Sequence, residues 1–175
     1  MPDNASADLQ ALHAAAATNP EARFALALAY RTGIGAPADN GLALVWLKHA
    51  AQADYAPAQY QLGSYYTLPE GGENYKVAVQ WLRYAADQQH PPAYLSLGQL
   101  YALGHGVKRD ITTVYALVSL AVDASVEGAQ EIKNALMERM TLEEFEQGTK
   151  RYFILKKELT AKNVTGFANS ILLAK

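Results

Sequence analysis

The stretch Ala22-Arg23-Phe24-Ala25-Leu26-Ala27-Leu28-Ala29-Tyr30-Arg31-Thr32-Gly33-Ile34-Gly35 decides the fold, because the chain writes it again. Ala93, Leu97, Tyr101, Gly104 and Gly106 repeat its skeleton, and Ala58, Leu62 and Tyr66 give a copy between them. The first alanines of these copies, Ala22, Ala58 and Ala93, lie 36 and 35 residues apart. Ala129 opens a fourth, incomplete copy after another 36. A period of this length marks a stack of supersecondary units, each burying an apolar face on its neighbours.

Each copy reads as two helices. Ala, Leu and Tyr recur at i, i+4 and i+8 in the first half, one face of a helix. Ala43, Trp46 and Ala50, then Ala78, Trp81 and Ala85, recur at i, i+3 and i+7 in the second half. Glycine and proline separate the halves: Gly33, Gly35 and Pro37; Pro69, Gly71 and Gly72; Gly104 and Gly106. Glycine there ends the first helix and permits positive φ. Asp39, Asn74 and Asp110 fall where a short acceptor caps the second helix, and Asn19-Pro20-Glu21 reads as N-cap, N1 and N2 of the first. Small residues at Ala27, Gly63 and Gly98 allow close helix approach. Trp46, Trp81, Tyr30, Tyr66 and Tyr101 recur in phase and are expected in the core.

This pattern resembles the Sel-one-like repeat, a branch of the tetratricopeptide superfamily, over roughly residues 20–139. The matching positions are Ala, Leu, Gly, Tyr, Gly-x-Gly, Asp, Ala, Trp and Ala-Ala in that order. Ala27 replaces glycine, the second turn is shortened, and Leu117 replaces tryptophan. The resemblance implies an all-α fold, an α/α right-handed superhelical solenoid of helix pairs, and a protein-interaction role. The expected organisation is one domain over 1–175. It has a capping helix at 7–19, repeats at 20–56, 57–91 and 92–127, a partial repeat at 128–140, a second capping helix at 141–160 and an apolar tail at 161–175.

The first-helix face opposite the Ala/Leu/Tyr row is the concave one in related superhelices. Phe24, Leu28, Arg31, Tyr60, Ser64, Leu68, Leu95, Gln99 and Leu103 lie there and are unusually apolar for a solvated surface. They are the candidate groove for an amphipathic or extended peptide, with Arg31 and Gln99 setting its orientation. The expected function is therefore an adaptor, scaffold or regulatory module for a protein or peptide partner. Cell-wall or β-lactam chemistry, as described for cysteine-rich relatives, is the enzymatic alternative. Self-association is the structural one.

At the ends of the stack, Ala14 and Ala15 align with Ala50 and Ala51, so residues 7–17 read as a half-repeat cap. Thr141 with Glu144 forms a capping box for the last helix, whose expected apolar face is Leu142, Phe145, Tyr152, Leu155 and Leu159. In the tail, Val164, Phe167, Ala168, Ile171 and Leu172 form a stripe expected to dock on the chain, on a second copy as a homodimer, or on a partner.

Chemistry is sparse. There is no cysteine among 175 residues, so no thiol nucleophile and no disulfide. His13, His49, His90 and His105 read as occupying different repeat positions without ligand spacing, so no metal or other cofactor is expected. Glu70 and Glu73 flank Gly71-Gly72, where a small acid/base site is conceivable. Net charge is −2, and the lysines of the last helix are interspersed with glutamates, against nucleic-acid binding. No stretch has the length of a membrane span, and no leader is evident, so the expected location is cytoplasmic.

Overall fold

The computed structural model describes residues 4–165, and side chains within residues 8–161. Among these residues there are nine α-helices and no strand. They are α1 (Asn4–Ala16), α2 (Pro20–Thr32), α3 (Asn40–Gln52), α4 (Ala56–Tyr65), α5 (Tyr75–Asp87), α6 (Pro91–Leu103), α7 (Ile111–Asp123), α8 (Ala129–Met137) and α9 (Leu142–Thr165). A 3-10 turn, Pro69–Gly71, precedes α5. The chain divides into two compact units, Met1–Leu62 and Gly63–Lys175, with the division inside α4. In the first, α1 packs on α2 and α2 on α3. In the second, α6 packs on α5 and α7, and α7 carries both α8 and α9.

The helix starts follow the cap residues read from the sequence. Asn19 accepts from Glu21 N at 2.9 Å, Asp39 from Leu42 N at 2.9 Å and Asn74 from Val77 N at 3.3 Å. Asp110 accepts from Thr112 N and Thr113 N, and also from both threonine hydroxyls at 2.7 and 2.6 Å. Each satisfies backbone donors that the first turn leaves without a helical partner. Thr141 and Glu144 close a reciprocal box at the start of α9. Gly33 and Gly104 end α2 and α6 in the left-handed region, and their N–H groups return to Ala29 O and Leu100 O.

The second helices of the repeats end differently. Asp54, Gln89 and Ser125 take φ values of 64°, 57° and 55° at one repeat position. The following amides, of Tyr55, His90 and Val126, bond back to Ala50 O, Ala85 O and Ala121 O. These are left-handed C-terminal caps made without glycine.

Small side chains hold the core. Leu26, Leu62, Leu82, Leu97 and Leu117 are almost fully enclosed, among alanines that include Ala50, Ala58, Ala78, Ala85, Ala93 and Ala121. A Cβ on Gly63 would come 2.7 Å from Leu82 Cγ, so glycine there sets how closely α4 meets α5. Trp46, Trp81, Tyr30, Tyr66 and Tyr101, expected in the core, are only half-buried. Leucine and alanine already fill the space between the helices, and the rings cover its edge. Their polar tips find partners there: Tyr30 Oη with His13 Nε2 at 2.9 Å, and the Tyr101 hydroxyl with Arg83 Nη2.

The last helix also departs from expectation. It buries Gly148, Leu155 and Leu159 and half-buries Phe145 and Tyr152, a repeat close to 3.5 residues. Leu142 is 74% exposed, because it lies in the first turn, ahead of the first contact that Phe145 makes with Tyr115. The helix also continues to Thr165, past the expected boundary at 160. Phe167, Ile171 and the rest of the expected apolar stripe beyond Thr165 lie outside the described residues.

Candidate functional site

The predicted groove residues divide between the two units. In the first unit Phe24 and Leu28 of α2 are half-buried, with the Phe24 ring 5.4 Å from Tyr55. Arg31 is exposed and donates to Gln61 Oε1 at 3.4 Å, and Tyr60 is half-buried. Tyr55 precedes its helix and stands outside the period, so periodicity does not single it out. Burial pushes its hydroxyl pKa up, helped by Glu21. In the second unit Ser64 and Leu95 are half-buried and Gln99 is exposed. Leu68 and Leu103, one repeat apart, are 50% and 56% exposed.

The Glu70–Glu73 turn is a structural element first. Tyr65 donates its hydroxyl to Glu70 O at 2.7 Å, and a Cβ on Gly71 would fall 2.1 Å from Tyr65 O. The two carboxylates are exposed and no third acidic or imidazole ligand joins them. More widely, no group of three or more metal-binding side chains occurs among the described residues.

A repeat position that pattern reading missed follows the first alanine of each copy: Arg23, Gln59 and Tyr94. Arg23 donates Nε to Ala16 O at 2.8 Å and Nη2 to Ala17 O at 3.0 Å. Gln59, buried, donates to Ala51 O and Asp54 Oδ1. Tyr94 is buried, and that burial, with Asp87 nearby, pushes its pKa up to about 12. Arg23 and Gln59 thus serve the end of the preceding helix, and Tyr94 is enclosed near Asp87, the last residue of α5; the differing residue types hide the position from a search for identical residues.

The histidine reading is corrected as well. His13 and His49 are 36 residues apart and share one repeat position. Both rings meet Trp46 edge-on, with centroids 5.4 and 5.6 Å away. They line an open cleft of about 430 Å³ with Arg23 and Gln52. In the second unit a cavity of about 210 Å³ is lined by Tyr94, Leu120, Asp123, Lys156 and Leu159. Asp123 there accepts from Tyr152 Oη at 2.7 Å and from Lys156 Nζ at 2.6 Å. Burial draws the Asp123 pKa upward, but the bonds from Lys156 and Tyr152 outweigh it and hold it below the usual carboxylate range. The bonds that Lys156 donates to Asp123 and to Tyr152 Oη push its own pKa up. A carboxylate and an ammonium fixed on each other bind and position; neither is poised to move a proton near neutrality.

Among the described residues no helix is long and apolar enough to cross a membrane. No curated protein matches the chain significantly. A crystal structure of a Sel1 repeat protein from Oxalobacter formigenes is similar, with 27% identity and a TM-score of 0.67 over 73% of this chain and 98% of that one. The structure of c5321, a protective antigen of uropathogenic Escherichia coli displaying an SLR fold, aligns at 19% identity and a TM-score of 0.48, over 93% of this chain and 44% of that one. The Sel1 repeat model matches residues 20–55, 56–90 and 91–113. These matches fall on the helix pairs α2–α3 and α4–α5 and on α6 with the turn into α7, and the chain belongs to the Sel1 repeat family.

Proposed function

We propose that this chain is an adaptor or scaffold for a partner protein, with candidate contact faces on α2 in the first unit and on α6 in the second. Sel1 repeats are generally protein–protein interaction modules, and the family supports the class of function. The observation that carries the reading is the exposure of Leu68 and Leu103 at equivalent positions, 50% and 56%, beside the half-buried Leu95 and the polar Gln99. An apolar side chain kept in water at the same place in successive repeats contributes nothing to folding. It contributes to affinity when a partner covers it. In the first unit Phe24 and Leu28, with Arg31 exposed beside them, offer the same mixture of apolar area and one polar handle.

The test is calorimetric titration with the partner's binding segment. Leu103→Ala and Leu95→Ala should each weaken binding about tenfold, and Tyr60→Ala at least as much, with little change in Tm. Lys48→Ala, on α3, should leave affinity unchanged. Unchanged affinity for Tyr60→Ala and Leu95→Ala together, with loss on changing α3, α5 or the Glu70–Glu73 turn, would move the site elsewhere.

A further inference from the structure

The cleft built by α1, α2 and α3 is set apart from the first-helix faces by its charge. Its titratable lining is Arg23, His13 and His49, with no carboxylate among the lining residues. Arg23 is held rigidly. Its Nε and Nη2 are committed to the carbonyls that end α1, which leaves Nη1 outside both bonds. His13 is fixed by Tyr30 Oη through Nε2, which leaves its other ring nitrogen outside that bond. His49 is exposed, and its contact with Trp46 is edge-on at 90°. Both imidazoles meet Trp46, which is half-buried, so part of the indole stays open. Gln52 adds an exposed amide at the end of α3.

From this grouping we infer that the cleft takes an acidic side chain of a bound peptide, with an adjacent apolar residue lying on the Trp46 indole. A guanidinium anchored by two bonds loses little entropy when it meets a carboxylate, and imidazole and amide groups complete the acceptor's hydrogen bonds. A single carboxylate fits better than a polyanion. The cleft holds one arginine, and the chain's net charge of −2 would repel an extended phosphate backbone. The inference rests on the protein-binding reading and gives that partner a chemistry, acidic next to apolar. The idea needs the histidines only as polar groups lining one cleft, whatever their charge.

The experiment uses the full chain labelled with nitrogen-15 and two capped hexapeptides, one alternating glutamate with leucine and one alternating glutamine with leucine. The indole N–H signal of Trp46 reports on the cleft, and that of Trp81 is the internal reference. The acidic peptide should move the Trp46 signal saturably and leave Trp81 in place. It should bind at least tenfold more tightly than its glutamine counterpart. His49→Ala, which removes a polar group at an exposed position, should weaken it about threefold or more. Free glutarate should bind at least tenfold more weakly than the peptide. Equal affinity of the two peptides, a Trp46 signal that never saturates, or glutarate binding as tightly as the peptide overturns the assignment. Failure here is separable from failure of the first-helix reading. If Trp46 does not respond while Leu95→Ala still weakens the natural partner, this inference falls and the other stands.

Discussion

Helices α3 and α7 are the same element of the repeat, in different units, and they are buried very differently. Of α3 only Ala43, Ala50 and Ala51 are buried, Leu42 and Val45 are exposed, and Trp46 is half-covered. Of α7 every residue from Thr113 to Ala121 is buried. The cause lies in the second unit, where α9 lies along α7. A Cβ on Gly148 would come 3.0 Å from the Tyr115 ring, and Phe145, Leu155 and Leu159 add to the cover. One repeat position therefore serves as a half-wet edge in one unit and as a helix hydrophobic all round in the other. This explains Leu117, which stands where the other copies have tryptophan. A compact, fully enclosed leucine suits a position closed on both sides better than a ring that needs an edge.

The sharpest test compares Leu117→Ala with Trp46→Ala. Leu117 is fully buried, so its truncation should cost about 2–5 kcal/mol. Trp46 is the larger side chain, but its ring already meets water, and its loss should cost about 1–2 kcal/mol. Urea unfolding of both variants decides it. A Trp46→Ala cost equal to or above that of Leu117→Ala would mean that the two helices are enclosed alike, and the comparison would break.

That contrast also marks where sequence reading stops. The period, the two helices per copy, the caps at Asn19, Asp39, Asn74 and Asp110 and the Thr141–Glu144 box were legible, since each depends on residues within a few positions of one another. The burial of α7 was not, because it comes from α9, which lies outside the repeat and announces only its own periodicity. Burial of the tryptophans was overestimated for a related reason: phase tells which side a residue faces, not whether anything lies beyond it. The groove residues were placed on the intended helices, but Tyr55, which meets Phe24, has no counterpart in the period. The His13–His49 pair was within reach, since the offset of 36 that aligned Ala14 with Ala50 also aligns the two histidines. The repeat position held by Arg23, Gln59 and Tyr94 has no common residue type to find.

A second test separates two glycines of similar φ. Gly106 has φ +72°, and a Cβ there would lie 2.4 Å from Tyr75 C and O. Both strain and collision act, so Gly106→Ala should cost about 2–4 kcal/mol. Gly33 in the first unit has φ +74°, but the nearest atom to its Cβ would be Ala38 Cβ at 3.4 Å. Gly33→Ala should cost only the strain, about 1–2 kcal/mol. Thermal unfolding measures both, and equal losses would show that the Gly106 turn does not press on the start of α5.

The third concerns acid. Asp110 caps α7 and meets Arg151 of α9 at 3.3 Å. Burial draws its pKa up, but the bonds from Thr113 and Thr112, with Arg151 nearby, outweigh burial and set it below the ordinary value of 3.8. Asp123 is lowered in the same direction. A lowered carboxylate stabilises the fold fully above its unfolded value and loses that contribution as pH falls through the folded value. The second unit should therefore weaken below about pH 4, where the carboxylates of α7 take up protons. At pH 7, Asp110→Ala should cost about 1–2 kcal/mol. The gap between parent and variant should narrow between pH 5 and pH 3. A gap that stays constant over that range would remove the charge from the argument and leave only the cap.

The smallest effect bears on the left-handed caps that end the second helices. Ser125 is exposed at φ 55°, a conformation that disfavours any side chain with a Cβ. Replacing it by glycine removes strain of about 1–2 kcal/mol and adds unfolded-state entropy of roughly half that, so Ser125→Gly should stabilise by about 0.5 kcal/mol. Asp54 occupies the same repeat position in the first unit at φ 64°, yet its carboxylate accepts from Gln59 Nε2 at 2.9 Å. Asp54→Gly would relieve the same strain and strip an acceptor from a buried amide, a loss of about 1 kcal/mol or more. It should therefore yield no gain. Paired urea titrations distinguish the outcomes. A gain for both variants would mean that the Asp54–Gln59 bond contributes nothing, and a gain for neither would mean that the Ser125 backbone is not strained.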